Sequence, residues 1–223
     1  MNIIWQGKYF FEIKTKGREN LLVDVFVNPY FLRKNSQTDS DSRIALFFSK
    51  EERERLKDKS RIGEQTFLID KPGEFDIKGV FILGIPVFSE SDNKLKKMQI
   101  IYKIESEGVK ICFLPKLSDK DLNDQQFESI SDVDVLVIPI GSGFGFEPKS
   151  AVSVVSEIEP KAVVPICSDF RKGFKKEGGE LGKFLKAIGA QESEPQKKIR
   201  LTARDFSGEG EESKIIILSP QKE

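Results

Sequence analysis

The side chains that could carry acid–base or nucleophilic chemistry in this chain include no histidine. This absence excludes a Ser-His-Asp triad, a Cys-His pair and every imidazole metal ligand. Proton transfer near neutral pH would therefore depend on carboxylates, lysine, tyrosine or cysteine. The chain has two cysteines, Cys112 and Cys167. The usual chemistry of a hydrolase is disfavoured by this set of residues.

A glycine-rich segment, Gly141-x-Gly143-x-Gly145, lies between a predicted strand and a predicted helix. Its spacing matches neither the dinucleotide fingerprint nor the P-loop, and no Gly-Lys-Ser/Thr follows it. The spacing favours a structural turn, so no nucleotide cofactor is expected. Phe144 and Phe170 lie in segments rich in glycine and charge, where exposed rings would indicate a binding surface.

Composition narrows the class of protein further. The 223 residues carry 36 Lys and Arg against 36 Asp and Glu, so the formal net charge is zero. Without a basic excess, neither nucleic acid nor an anionic membrane is expected as a partner. The sequence lacks an apolar run of the roughly 20 residues that span a bilayer, and Met1 to Lys8 does not resemble a signal peptide. Two cysteines form no disulfide framework, so a cytoplasmic location is expected.

Alternating and continuous apolar runs predict many short strands with a few helices between them. The predicted strands are Ile3–Trp5, Tyr9–Ile13, Leu21–Phe26, Ile44–Phe48, Thr66–Ile69, Phe75–Ile77, Val80–Leu83, Pro86–Phe88, Met98–Glu105, Val109–Leu114, Val133–Ile140, Ala162–Ile166 and Lys214–Leu218. The predicted helices are Lys50–Lys59, Asp119–Ile130, Pro148–Ile158 and Glu180–Ile188. Strands and helices do not alternate strictly, so two packed sheets with helices outside fit better than a doubly wound sheet. We expect an α/β (α+β) fold in a single domain, residues 1–223.

Several segments together resemble the metallo-β-lactamase superfamily. They are Ile4-Trp5-Gln6-Gly7-Lys8, Leu22-Val23-Asp24, Ile69 to Phe75, Gly108 to Leu114, Asp132 to Pro139 and Ile158 to Pro165. The most similar branch is the compact group of predicted metal-dependent hydrolases related to ascorbate-phosphate lactonases. The resemblance extends from Asn2 to about Leu218 and implies an αββα sandwich, with two mostly antiparallel or mixed sheets packed face to face.

The same resemblance implies metal ligands at strand ends, and this chain departs from the family pattern at each of them. Lys8 stands where the family has the histidine of an early Gly-His. After the strand that ends in Phe48, the family's HxHxDH loop aligns with Ser49 to Glu54. Its three histidines fall on Ser49, Glu51 and Glu54, and its aspartate falls on Arg53. The family's bridging aspartate falls on Lys116 and its last histidine on Cys167.

These replacements predict a vestigial pocket without metal. A zinc site needs deprotonated N, S or O ligands around the ion, whereas Arg53 and Lys116 are cationic. Their two positive charges balance Glu51 and Glu54, so the hypothesis is that side-chain cations take over the electrostatic role of the metal. The same charges are also compatible with an ordinary solvated helix, in which Ser49-x-x-Glu52 is a capping box and Glu51 pairs with Arg55.

Two functions therefore remain open. The first is a non-catalytic, cofactor-free protein of this fold, a pseudo-hydrolase that binds an unidentified protein or small molecule or assembles as a homo-oligomer. The alternative is a hydrolase with a rebuilt metal site, for which Glu51, Glu54 and Cys167 are the candidate ligands. A Lys- or Cys-based nucleophile is a further form of that alternative: Lys116 beside Cys167 would activate the thiol. A Ser49–Lys116 dyad is disfavoured, because neighbouring carboxylates would keep the lysine charged.

Overall fold

Two mixed β-sheets pack face to face and bury an apolar core between them. The computed structural model describes residues 1–29, 40–56, 66–90, 96–118, 121–168, 170, 179–191, 193–208 and 213–221. The strands are β1 Asn2–Gly7, β2 Phe10–Lys16, β3 Leu22–Val27, β4 Ser42–Leu46, β5 Thr66–Ile69, β6 Gly73–Ile77, β7 Val80–Glu90, β8 Lys96–Ser106, β9 Val109–Phe113, β10 Val135–Ile140, β11 Ala162–Cys167, β12 Ile199–Arg200 and β13 Lys214–Ile215. The helices are α1 Lys50–Glu54, α2 Asp124–Ile130, α3 Pro148–Ile158 and α4 Glu180–Ala187.

The strand order places parallel strands in both sheets. One sheet runs β12-β1-β2-β3-β4-β5 and the other β13-β11-β10-β9-β8-β7-β6. In the first sheet β3, β4 and β5 are parallel, and in the second β9, β10, β11 and β13 are parallel. Helices α3 and α4 pack on β10 and β11, and α2 packs on β7. This arrangement is the αββα sandwich expected from the sequence.

Continuous apolar runs become the strands that are buried on both faces. All six residues of β10 and all six of β11 are buried, as expected for parallel strands that helices cover on one face and a second sheet covers on the other. Helix α3 begins with Pro148, where the missing N–H leaves no bond unmade, and ends at Glu159 in the left-handed conformation. No helix in the described parts of the chain is long and apolar enough to cross a membrane.

Tyr102 of β8 joins the two sheets at the ends of two parallel strands. Its buried hydroxyl lies 2.8 Å from the carbonyl oxygen of Phe47 and 3.1 Å from that of Ile69. The single O–H proton is thus shared between the carbonyl of Phe47 and that of Ile69, which also accepts the N–H of Phe47 at 2.9 Å. Beside it, the N–H of Ile100 donates to the carbonyl of Phe48 at 2.8 Å. These contacts fix where the chain leaves β4 and β5.

Four sequence predictions are corrected by the structure. The strands predicted at Val80–Leu83 and Pro86–Phe88 form the single strand β7. Gly84 continues the ladder, and a Cβ there would meet Ile100 at 3.2 Å, so the glycine marks close packing and not a turn.

The other corrections concern one strand and two helices. Helix α2 begins at Asp124, because Asn123 and Gln126 form its capping box while Asp121 accepts from the N–H of Ser118. Strand β12 was not predicted, since only two residues pair there. Helix α1 is described as far as Glu54, and residues 57–59 of its predicted range lie outside the described residues.

We expect Tyr102→Phe to lower the free energy of unfolding by about 1–3 kcal/mol, because the buried carbonyl of Phe47 loses its side-chain donor and that of Ile69 loses one of two donors. Urea unfolding followed by circular dichroism measures the change. Ser153→Ala, which removes a hydroxyl from the exposed face of α3, is the matched control, with an expected effect within about 0.5 kcal/mol. Equal effects of the two changes would contradict the assigned role of the Tyr102 hydroxyl.

Candidate functional site

Aromatic side chains pack together at the edge of the sandwich where the carboxyl ends of β4 and β10 meet. Tyr9, from the turn between β1 and β2, stacks on Phe144 with ring centroids 4.4 Å apart and planes 22° apart. Phe48 packs edge-on against Tyr9 at 6.2 Å, and Tyr102 lies 6.0 Å from Phe48. We call Tyr9, Phe48, Tyr102 and Phe144 the aromatic cluster. It joins the segments that follow β4 and β10, the middle of β8 and the β1–β2 hairpin turn, and so connects the two sheets.

The glycine-rich turn supplies one ring of the cluster. Phe144 is 8% exposed and Phe170 is equally buried, so the expectation that these rings form an exposed binding surface is wrong. Gly141 has a φ of 110°, and a Cβ there would lie 3.1 Å from the Cγ of Glu180. The glycine is required by close packing between the turn and α4. The turn is therefore structural, as its spacing predicts.

Trp5, the only tryptophan of the chain, extends the packed edge on the far side of the hairpin. Its indole N–H donates to the carbonyl of Lys8 at 2.8 Å. The ring of Phe170 meets it edge-on at 5.5 Å, and Phe11 stacks on it at 6.3 Å. The hairpin turn that carries Lys8 and Tyr9 is therefore held by one hydrogen bond and by ring packing.

Helix α1 holds four of the sequence-predicted site residues. The hydroxyl of Ser49 accepts from the N–H of Glu52 at 3.2 Å and caps the helix. Glu51 and Glu54 are exposed to solvent. The backbone N–H of Glu51 holds the pKa of its own carboxyl below the usual range. Ser49, Lys97 and Lys50 make smaller contributions in the same direction. Glu51 and Glu54 therefore behave as residues on a solvated helix face.

Arg53 does not form its ion pair with Glu51 or Glu54, the carboxylates that the sequence analysis set against it. Its Nη1 lies 2.6 Å from Oδ2 of Asp70, at the carboxyl end of β5. In the described ion pairs Arg53 meets neither Glu51 nor Glu54, so the charge balance proposed for them is not formed through direct contact with Arg53. The sequence did not indicate Asp70 as this partner, because Asp70 lies 17 positions from Arg53 along the chain.

The other candidate positions are distributed around the same edge. Lys8 adopts a left-handed conformation, with φ of 49°, at the tip of the β1–β2 hairpin. Lys116 is exposed, and its carbonyl accepts from the side-chain amide of Gln99 at 2.7 Å. Cys167 ends β11 and is 6% exposed. Nothing in these contacts brings Lys116 beside Cys167.

These residues do not fit a metal ion. Among the described residues, no group of three or more His, Cys, Asp or Glu side chains is placed to hold one. Three of the aligned positions, Lys8, Arg53 and Lys116, are cationic, and Glu51 and Glu54 face solvent. The other cysteine, Cys112, is fully buried in β9, and that burial raises the pKa of its thiol to about 12. A thiolate ligand from Cys112 is therefore disfavoured.

A buried polar pair that sequence reasoning missed lies behind α1. Asn28, which follows β3, is fully buried, and among the described residues neither polar atom of its side chain has a hydrogen-bond partner. Within the same part of the chain, Oε2 of Glu52 is buried without a partner as well. Burial raises the pKa of Glu52, while Asn28 and Arg55 act in the opposite direction. Glu52 therefore leaves the capping box half-formed: Ser49 caps the helix, and the carboxyl turns inward.

Comparison with known proteins identifies the family. The family model described as "Beta-lactamase superfamily domain" matches residues 2–167. The chain belongs to the metallo-β-lactamase superfamily. No curated protein sequence matches the chain.

Solved structures show the same fold at low sequence identity. A Thermotoga maritima protein assigned as a zinc-dependent hydrolase of the superfamily has a TM-score of 0.60 and 19% identity over 99% of both chains. A Parabacteroides distasonis protein assigned as a metal-dependent hydrolase has a TM-score of 0.58 and 11% identity, over 97% of this chain and 93% of its own. Zinc-bound PqqB from Methylobacterium extorquens has a TM-score of 0.55 and 8% identity, over 90% and 100%. At these identities the likeness shows the fold alone.

We expect Glu52→Gln to stabilise the protein at pH 7.5 by about 1 kcal/mol, the usual size of the effect of one buried polar group. The folded-state pKa of Glu52 is raised, so the folded protein favours the neutral carboxyl. This contribution to stability is fully present below the unfolded-state pKa and is lost as the pH rises through the folded-state pKa. The difference between variant and wild type should therefore vanish towards pH 4 and grow above it. Urea unfolding across this range measures it. Glu54→Gln, an exposed neighbour, is the control, and a Glu52→Gln variant that is less stable at pH 7.5 would contradict the burial argument.

Proposed function

We propose that this protein is a non-catalytic member of the metallo-β-lactamase superfamily that acts as a binding or assembly module. The aromatic cluster is the observation that carries the proposal. Two of its rings neighbour positions at which the family resemblance implies a metal ligand: Tyr9 follows Lys8, and Phe48 precedes Ser49. Phe144, from the turn after β10, stacks on Tyr9. This ring packing beside the aligned positions supports the proposal that no catalytic metal is held there.

The chemistry of the aligned positions supports the same proposal. We infer that Lys8, Ser49, Glu51, Arg53, Glu54, Lys116 and Cys167 are the remnants of the ligand set. A cation repels a metal ion, and a carboxylate that faces bulk water on a short helix is not directed inward. Asp70 is also paired with Arg53, so its carboxylate is not free to act as a metal ligand.

The alternative, a hydrolase with a rebuilt site, makes a different prediction about metal content. We expect elemental mass spectrometry to find no zinc, iron or manganese above background in untagged protein purified without chelator. We also expect no hydrolysis of bis-p-nitrophenyl phosphate or of a simple lactone when Zn²⁺ or Mn²⁺ is added. Addition of EDTA should leave the melting temperature unchanged, because no folding free energy comes from a metal.

About one tightly bound metal ion per chain, with a melting temperature that falls in EDTA, would contradict the proposal and favour the rebuilt site. Metal-dependent turnover would contradict it independently of affinity. A related zinc-dependent hydrolase assayed in the same buffers is the positive control for both measurements.

Packing of the aromatic cluster can be tested without any ligand. Phe144→Ala should lower the free energy of unfolding by about 3 kcal/mol, because a buried ring leaves a cavity. Phe88→Ala, at a side chain that is 54% exposed on β7, is the matched control with an expected loss below about 1 kcal/mol. Equally small losses in urea unfolding would mean that the strand-end space is open, which would remove the main support for a closed site.

A further inference from the structure

A second concave surface lies at the opposite edge of the sandwich from the aromatic cluster. It opens at the amino end of β11 and is bounded by the ends of α3 and α4, by β12 and by β13. Its volume is about 1430 Å³. This volume exceeds the roughly 300–1,000 Å³ of a typical small-molecule pocket. We call it the β12–β13 cleft.

The described lining of the β12–β13 cleft is basic, although the chain as a whole is neutral. Its charged residues are Lys161, Lys198, Arg200 and Lys214 against Glu159 and Asp205. The described ion pairs place Lys161 on Asp134 at 3.2 Å. They give no carboxylate partner to Lys198, Arg200 or Lys214, which are all exposed. Three cations are therefore available to a ligand.

Asp205 offsets part of this positive charge, but the described lining keeps an excess of cations, four against two carboxylates. Its carboxylate accepts from the hydroxyl and the N–H of Thr202, at 2.8 and 2.7 Å. These bonds, helped by Lys214 and Arg200, lower the pKa of Asp205. The carboxylate is committed to capping a short 3-10 turn. The cations around it remain the dominant charge of the described lining.

The floor of the cleft is apolar and includes a free strand edge. Ile199, Leu201 and Ile216 are each less than one-tenth exposed. The N–H of Lys214 donates to the carbonyl of Lys161, just before β11, and the N–H of Ile216 donates to that of Val163 in β11. The intervening Ile215 therefore directs its N–H and C=O away from β11. Further along, the carbonyl of Ile217 accepts from Gln196. The chain then leaves this edge to form β12 in the other sheet, and the edge at Ile215 stays open to the cleft.

We propose that the β12–β13 cleft binds an extended, acidic peptide segment of a partner protein. A strand laid along β13 would meet the backbone groups of Ile215, place alternate apolar side chains on the floor and present carboxylates to Lys198, Arg200 and Lys214. The volume of the cleft, above that of a typical small-molecule pocket, favours a peptide over a small compact ligand. The proposal rests on the proposed function only in naming what a binding module would bind, because the cleft lies away from the vestigial metal positions.

Fluorescence anisotropy tests the proposal with a fluorescein-labelled peptide of about ten residues that alternates Glu with Val, roughly 33 Å when extended. We expect saturable binding to the full chain that weakens as salt increases. The peptide with Gln in place of Glu should bind at least about tenfold more weakly, since the charge attraction is lost. Lys198→Glu/Arg200→Glu should weaken binding by a similar factor. Lys71→Glu/Lys78→Glu, the same charge change at exposed positions on the other side of the sandwich, should leave it unchanged.

Several results would overturn the proposal. They are no anisotropy change with the wild-type chain, equal binding of the Gln peptide, or equal loss in the two double variants when both retain the wild-type melting temperature. Full displacement of the peptide by inorganic phosphate would assign the cleft to a small anion. Tighter binding of a single-stranded oligonucleotide would assign it to nucleic acid.

One further variant controls for the acidic sequence between two lining residues. Residues 209–212 contain Glu209, Glu211 and Glu212 and lie outside the described residues. If only Glu209→Gln/Glu211→Gln/Glu212→Gln binds the peptide, the natural chain is not a receptor and the proposal falls. Metal content and hydrolysis are unaffected by any of these outcomes, so failure here and failure of the non-catalytic assignment remain distinguishable.

Discussion

The hydroxyl of Tyr102 is the interaction on which the arrangement at the carboxyl edge depends. Parallel strands that end at one edge leave carbonyls with no ladder partner, and burying such groups unpaired costs about 1–3 kcal/mol each. Tyr102, from the opposite sheet, donates to the carbonyl of Phe47 and shares the carbonyl of Ile69 with the N–H of Phe47. The contact therefore stabilises the strand ends and joins the two sheets at that point. Burial raises the pKa of the Tyr102 hydroxyl, so it stays protonated and able to donate near neutral pH.

With the two sheets joined at that point, rings instead of ligands fill the edge. A metal site keeps polar side chains inside a protein because coordination offsets their desolvation. Without histidine, this edge is stabilised by burial of apolar area, at about 25 cal/mol per Å², and by ring contacts of about 0.5–1.5 kcal/mol per pair. The Tyr9–Phe144 stack and the Phe48 contacts are of this kind.

The sequence predicts most of the fold but little of the site, for a physical reason. Apolar alternation is local, so strands such as Thr66–Ile69 and the helix Pro148–Ile158 are predicted with the bounds that the structure shows. A two-residue strand such as Ile199–Arg200 leaves no periodic signal. The decisive contacts at the edge join residues far apart in the chain, as Tyr102 joins Phe47. Family resemblance supplied the aligned positions, whereas the partner of Arg53 and the inward turn of Glu52 required coordinates.

The two edges of the sandwich differ in how far their backbone N–H and C=O groups are hydrogen-bonded, and this difference separates their roles. At the carboxyl edge the described loose ends are closed: Tyr102 takes two carbonyls, Ser49 caps α1 and Trp5 holds the carbonyl of Lys8. At the β12–β13 cleft a two-residue strand ends each sheet, and among the described residues no strand pairs with the outer side of Ile215. A sheet edge with unpaired groups invites another strand unless charge or cover prevents it. Here cations outnumber carboxylates in the described lining, which favours an acidic chain over a basic one. The chemistry that could select a partner thus lies at the edge that the family's catalytic positions do not use.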